Sequence, residues 1–261
     1  MEIYKLIEKI RATKPLVHHI TNWVTIYDCA NVCKVLGASP VMAHAKEEAA
    51  DMVSLASALV LNIGTLTTDV IESMKIAAAA ANSYGIPVVL DVCGAGATKF
   101  RDTKCAEILN KARINIIKGN ASEIARIAGL DVKTKGVDAS DVGHNMMKVA
   151  RQLAIVRKCA VAVTGKNDIV TDGKKSYYIK NGHDMMSRVV GTGCMAASVI
   201  GTFAAVEKNA AFAAAAGLAA FGIAGEIAAR KTKSPGFFKE HMYDALYGLN
   251  ASVIKRMQKI E

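Results

Sequence analysis

Aromatic side chains make up only 5% of this 261-residue chain, with a single tryptophan, and prolines number four. That scarcity excludes a Pro-rich linker architecture. It also excludes the mix of basic and aromatic residues that tracks nucleic acid, because the surplus of 33 Lys and Arg over 23 Asp and Glu is scattered in ones and twos. A net charge of +10 spread in this way reads as a solvated surface that also attracts a phosphorylated ligand. None of the six cysteines, at 29, 33, 93, 105, 159 and 194, forms a C-x-x-C pair or has a zinc-like histidine spacing. Free thiols in a reducing, cytoplasmic setting are expected. The opening "MEIYKLIEKIRATKP" is charged and amphipathic, without the apolar centre of a secretory signal. The most apolar stretch, Ala210 to Gly225, is mainly Ala and Gly and falls short of the ~20 residues of a membrane span, so a buried core helix and no membrane partner are expected.

What is present is core. Hydrophobic residues make up 52% of the chain, enough for one large domain, and no repeat, linker or composition break divides residues 1–261. Short apolar runs alternate with longer helical patterns. Strands are expected at Ala58 to Gly64, Ile86 to Val92, Ile114 to Gly119 and Cys159 to Gly165. Helices are expected at Thr68 to Gly85 and over about 99–111, 121–128 and 140–157. This rhythm predicts an α/β fold with a mostly parallel central sheet covered on both faces. After Thr164 the pattern changes. Asp168 to Lys180 carries an Asp-Gly hairpin signal, and helices follow over Met195–Lys208, Ala210–Lys231 and about Phe238–Lys259.

In an open parallel sheet, ligands gather at the carboxyl ends of the strands. The polar and glycine-rich runs of this chain fall there: "NIGT" from Asn62, "DVCGAGAT" from Asp91, "KGNASE" from Lys118 and "VTGKND" from Val163. Asp91 and its glycine turn suit a magnesium-bound phosphate, or equally a tight turn capped by the aspartate. The spacing is neither a P-loop nor a dinucleotide fingerprint. Asn120 and Glu123 stand three apart, as two groups facing one ion or as a capping box, and spacing favours the box. Lys118 either meets a nucleotide phosphate or is exposed. His18, His19 and His44 lack a carboxylate partner at metal spacing. Asn22 and the backbone at Met42 suit hydrogen bonds to a small heteroaromatic ligand, against the loop roles that spacing alone favours. "RVVGTGCMAASVIGTF", Arg188 to Phe203, places Cys194 where a G-x-G turn opens a helix. There the free N–H groups and helix dipole attract an anion and favour a thiolate, or else the cysteine simply packs.

Taken together, "PLVHHITNWVT", "LGASPVMAHAKEEAADM", "ALVLNIGTL", "PVVLDVCGAGAT…FR", "KGNASEI", "KGVDA", "VTGKNDIVTDG", "NGH" and "GTGCM…S…GTFAAVE" resemble the hydroxyethylthiazole kinase family in order and spacing, over about residues 10–230. The resemblance implies a ribokinase-like three-layer α/β/α domain, assembled as a homotrimer with sites between subunits. It implies transfer of the ATP γ-phosphoryl group to the alcohol of 4-methyl-5-(2-hydroxyethyl)thiazole, with Mg2+. By the same resemblance, the backbones of Met42 and Gly191, with Asn22, meet the thiazole, and Lys118 and Thr164 meet ATP. Gly191, Thr192 and Gly193 cradle the transferring phosphoryl group, Asp91, Asn120 and Glu123 face the metal, and Cys194 takes or orients the hydroxyl proton. Lys118 stands where the family usually has arginine, which loses the bidentate fork and keeps the charge. Val92 and Cys93 replace Pro and Val, and Val190 replaces a common threonine. Three other readings are a kinase of a pyrimidine or pyridoxine alcohol, a non-catalytic thiazole or thiamine binder, and an acyl-transfer enzyme with Cys194 as nucleophile and His183 as base.

Overall fold

The computed structural model describes residues 2–129 and 139–261, so most of the "KGVDA" run, 135–138, lies outside the described residues. Six strands run parallel: β1 (Leu16–Ile20), β2 (Ser39–Val41), β3 (Ala58–Asn62), β4 (Val88–Asp91), β5 (Ile116–Asn120) and β6 (Ala160–Thr164). The hairpin β7 (Asp168–Thr171) and β8 (Ser176–Ile179) completes one edge antiparallel, giving the order 2-1-3-4-5-6-7-8. Every residue of β3 and β4 is buried, as expected of strands covered on both faces. The four strands and the hairpin expected from sequence are all present, each within a few residues of its expected bounds.

Two helical layers cover the sheet. Against one face pack α1 (Ile3–Thr13), α2 (Ile26–Leu36), α8 (Thr192–Ala204), α9 (Ala210–Lys231), α10 (Pro235–Tyr247) and α11 (Ala251–Met257). Against the other pack α3 (Ala49–Ser54), α4 (Thr68–Tyr84), α5 (Lys99–Lys111), α6 (Ala121–Ile127) and α7 (Ala139–Arg157). The helices are bounded by the signals their sequences carry. The Thr67 and Thr98 side chains accept the N–H groups of Val70 and Arg101 at the starts of α4 and α5, and Gly85 ends α4 at φ +69°. By length and composition α9 is apolar enough to cross a membrane, yet most of it is buried inside the fold. Its alanines and glycines let it approach α8 closely: a Cβ on Gly217 would stand 3.2 Å from the Ile200 backbone.

Three expectations need correction. The helix expected over 238–259 is two, because the chain turns after Gly248 and restarts when the Asn250 side chain accepts the Val253 N–H. The helix expected to reach Lys208 ends at Ala204, and it begins earlier, at Thr192. The N-terminal loops hold two strands. β1 escaped notice because His18 and His19 interrupt its apolar run, yet both rings are buried. His18 Nε2 reaches the Ala43 carbonyl at 2.8 Å and His19 Nδ1 the Val17 carbonyl at 3.0 Å. Burial pushes both pKa values down, that of His19 to about 3, so the rings pack as neutral core residues. β2 has three residues and a proline, tolerated because it lies at the sheet edge.

Candidate active site

The parallel register does the first assembly step. Asn62 pairs with Asp91 and Asp91 with Lys118, while Asn120 pairs with Thr164. Residues directly opposite in neighbouring strands point to the same side of the sheet, so Asn62, Asp91 and Lys118 stand in a row at the strand ends. All three are buried. Lys118 Nζ lies 3.3 Å from both Asp91 oxygens, and Asn62 Nδ2 donates to Asp91 Oδ2 at 2.8 Å. Burial pushes the Asp91 carboxyl up, to about 7, against the pull of Lys118. Lys118 is itself raised: burial opposes its charge, and Asp91, Cys194 and Glu123 outweigh that cost.

Above this row stands the N-terminus of α8. Gly191 adopts φ +90° with Thr25 Cγ2 packed where its Cβ would be, a place only glycine fills. The first intrahelical bond is Met195 N–H to the Gly191 carbonyl. The N–H groups of Thr192, Gly193 and Cys194 precede it, with no acidic residue in that turn. The Lys118 ammonium sits 3.3 Å from where a Gly193 Cβ would stand. A cation and the positive end of a helix thus converge on one point, which suits a multiply charged anion. Of the Gly191, Thr192 and Gly193 of the sequence reading, Gly193 stands next to Lys118, Gly191 packs on Thr25, and the Thr192 hydroxyl donates to the Met186 carbonyl at 2.9 Å.

Cys194 is buried in the same turn. Its thiol is lowered to about 5, first by a hydrogen bond from Cys93, against burial, and further by Thr25, Lys118 and Asn22. Of the two thiols Cys194 is the one whose anion is favoured, since Cys93 is pushed far up. Asn22 Nδ2 donates to Cys194 Sγ at 3.2 Å and to Asn62 Oδ1 at 3.0 Å, while Asn22 Oδ1 accepts the N–H and hydroxyl of Thr25, both at 3.1 Å. The Asn22 amide, expected at the ligand, is thus spent on protein partners. Among the described residues no histidine is a hydrogen-bond partner of Cys194. His183 instead accepts the Met185 N–H at 3.1 Å, so the acyl-transfer reading loses its base.

The glycine turn after Asp91 departs from its sequence reading. Its Gly94 and Gly96 N–H groups, expected to cradle phosphate, go to Glu123 Oε1 at 2.8 Å and Asp102 Oδ1 at 2.7 Å. Asn120 and Glu123 form the capping box: Asn120 Oδ1 accepts the Glu123 N–H at 3.0 Å, and Glu123 Oε2 the Asn120 N–H at 2.7 Å. Among the described residues no group of three or more His, Cys, Asp or Glu is arranged to hold a metal. The oxygens of Asp91 and Glu123 already have partners, so these carboxylates fit a magnesium ion that keeps its water shell and arrives on phosphates, as that ion commonly does.

One recess lies against the α8 N-terminus. A cleft of about 550 Å³ runs from Thr164 and Asp168 past Thr192 and Gly193 to Leu218 and Phe221. Its size suits a nucleotide, with a polar end at α8 and an apolar end against α9. Thr164 Oγ1 is tied to the Gly119 carbonyl at 3.3 Å. On the other side, His44 Nε2 accepts the Thr21 N–H at 3.0 Å and its Nδ1 faces the Met42 carbonyl at 3.4 Å. Trp23 stacks on the His44 ring at 4.7 Å. This arrangement ties the Met42 backbone to the strand end that carries Asn22. Sequence reasoning placed Asn62 at a strand end without giving it a role, and it missed Thr25 and the Cys93 partnership. Asn62 was signalled only as the polar residue ending the buried run "ALVLN".

Comparison with known proteins gives one answer. Residues 7–252 match the model of the hydroxyethylthiazole kinase family. A hydroxyethylthiazole kinase from Methanosarcina acetivorans is 54% identical over 255 residues, covering 98% of each chain. The solved structure of a hydroxyethylthiazole kinase protein from Pyrococcus horikoshii superposes with a TM-score of 0.92 at 41% identity, over 99% of this chain and 98% of that one. A ribokinase-like superfamily protein from Enterococcus faecalis, 13% identical with a TM-score of 0.66 over 93% of each chain, shares the fold alone. The three-layer α/β/α arrangement is therefore of the ribokinase-like class.

Proposed function

The chain belongs to the hydroxyethylthiazole kinase family, and from that premise we propose how its residues divide the transfer of the ATP γ-phosphoryl group to the primary alcohol of 4-methyl-5-(2-hydroxyethyl)thiazole. ATP occupies the cleft from Thr164 to Phe221, with its terminal phosphates at the α8 N-terminus beside Lys118. The thiazole lies between the Met42 backbone and Gly191. The observation that carries this reading is the convergence of the Lys118 ammonium and the free α8 N–H groups on one point beside the Cys194 sulfur.

Phosphoryl transfer proceeds through a loose transition state with charge on the equatorial oxygens, so positioned donors outweigh a strong base. The Thr192, Gly193 and Cys194 N–H groups and Lys118 supply those donors. An alcohol is about as weak an acid as water, and a sulfur lowered to about 5 does not deprotonate it in the ground state. Cys194 instead accepts the hydroxyl hydrogen bond, aims an oxygen lone pair at phosphorus, and takes the proton late as the new P–O bond forms and the bond to ADP breaks. Asp91 and Glu123, with Asn120 behind them, would hold through water a magnesium ion accompanying ATP, which would supply charge neutralisation to the phosphates.

We further read residues 1–261 as one cytoplasmic domain, supported by the single continuous sheet and the free cysteines. It is a homotrimer with the site at the subunit boundary. Trp23, Val24, Tyr27 and Val190 support this, standing 55–74% exposed beside the site, more bare apolar surface than one subunit's site needs. A substrate panel with ATP and magnesium tests the assignment: the thiazole alcohol is phosphorylated ahead of pyrimidine and pyridoxine alcohols. A preference for either of those, or thiazole binding without ATP consumption, overturns it.

A further inference from the structure

Asn62 lies at the end of β3, only 2% exposed, and does not line the cleft beside α8. A buried amide that touches no ligand is costly unless fully paired, and this one is paired in a determinate way. A backbone N–H only donates, so the Asn62 atom 2.8 Å from the Gly64 nitrogen is its oxygen. The NH2 group therefore faces Asp91 Oδ2, at 2.8 Å. The Thr25 N–H fixes Asn22 in the same way, turning its NH2 toward both Asn62 Oδ1 and Cys194 Sγ. Gly64 allows the two asparagines to close on each other, since a Cβ there would stand 2.9 Å from Asn62 Oδ1 and 3.1 Å from Asn22 Cβ.

The result is a chain whose donors run outward from Asn22 in both directions, Cys194 ← Asn22 → Asn62 → Asp91, with Lys118 at its far end. A donor is turned toward the sulfur at one end and toward the carboxylate at the other. Resting on the assignment of Cys194 and the Asp91–Lys118 pair to the reacting site, we propose that Asn62 is a positioning residue for phosphoryl transfer: its amide locks Asn22 and so holds the Cys194 sulfur as a hydrogen-bond acceptor at a fixed distance from the Asp91–Lys118 pair. Asn62 acts through Asn22 and touches neither substrate. The charged and titratable groups that face Cys194 are Cys93 from the turn after β4, Asp91 from β4, Lys118 from β5 and Cys29 from α2, with Glu123 of α6 beyond Lys118.

Asn62→Asp tests this while keeping side-chain shape. The oxygen that accepts from Gly64 and Asn22 remains, the donor toward Asp91 becomes an acceptor, and a negative charge appears one amide away from the sulfur. The expected result is a kcat lower by about 10-fold or more with KM for both substrates within about 3-fold, the pattern of an interaction made in the transition state. The pH at which Cys194 reaches half its maximal iodoacetamide reactivity, followed by mass spectrometry on its peptide, moves up by about one unit. Asn62→Ser keeps one oxygen and one donor and falls between wild type and Asn62→Asp in both readouts. It decides the matter alone if Asn62→Asp does not fold. An unchanged kcat, or a loss of kcat with the alkylation midpoint unmoved, overturns the proposal. The alkylation arm needs no substrate. If the wild-type protein leaves the thiazole alcohol untouched, the proposed function fails while Asn62 is still judged.

Discussion

At the scale of single residues, the site is built from groups whose ordinary chemistry has been shifted by neighbours. Cys194 is the acceptor because Cys93, Thr25, Lys118 and Asn22 all favour its anion. Cys93→Val removes the largest of these. The expected outcome is an upward move of the Cys194 alkylation midpoint and slower turnover at about pH 6, checked by pH–rate profiles. An unmoved midpoint would show that the helix terminus and Lys118 suffice. The single residues divide sharply in how legible they were. Asp91, Lys118 and Cys194 announced themselves by sitting at strand ends or a glycine-flanked helix start. Asn62 was legible as a strand end of the same kind but not in its role, because that role lies in partners 29 and 40 positions away.

At the scale of elements, what matters is how closely α8 seats on the sheet, since its N-terminus carries the anion site. Gly201 of α8 packs directly onto Val60 of β3, whose Cγ2 stands where a Cβ would go. Gly201→Ala is therefore expected to cost about 1–3 kcal/mol by overpacking, and adding Val60→Ala recovers part of it, as chemical denaturation of the single and double variants will measure. A cost unchanged in the double variant would place the strain elsewhere. The hairpin at the other edge carries a pH-dependent term. Burial pushes the Asp168 carboxyl up to about 7, although the Gly165 N–H pulls it down. The folded protein keeps this proton where the unfolded chain, near 3.8, has released it, so this contribution to stability is present at low pH and lost as pH rises through about 7. Asp168→Asn keeps an oxygen for Gly165 and is expected to raise Tm at about pH 8 and not at about pH 4, and an equal change at both would contradict the shift. The regular elements were the most legible part of the sequence, because periodic apolar patterns and glycine or threonine caps act locally. The elements missed or misjudged, β1, β2 and the break at Gly248, are those where burial of histidine, an edge position or a distant cap decides.

At the scale of the whole molecule, a common ribokinase-like scaffold is made specific by what gathers at one edge of its sheet. Assembly belongs to this scale. Tyr27 is 74% exposed on α2, the helix that begins at Thr25 of the site. If the proposed trimer forms, Tyr27→Glu is expected to shift sedimentation from it toward monomers of 27.6 kDa and to weaken thiazole affinity together with it. A wild-type protein that sediments as a fully active monomer would contradict the trimer.

The central claim is that the α8 N-terminus and Lys118 carry the phosphoryl charge while Cys194 aims the alcohol and takes its proton late. Rapid-quench single turnover of thiazole alcohol and ATP by wild type, Cys194→Ala and Cys194→Asp tests it directly. The account predicts that Cys194→Ala still forms the phosphate ester, slowed by about 10- to 100-fold, and that Cys194→Asp regains much of the loss. A Cys194→Ala protein turning over at the wild-type rate would contradict it.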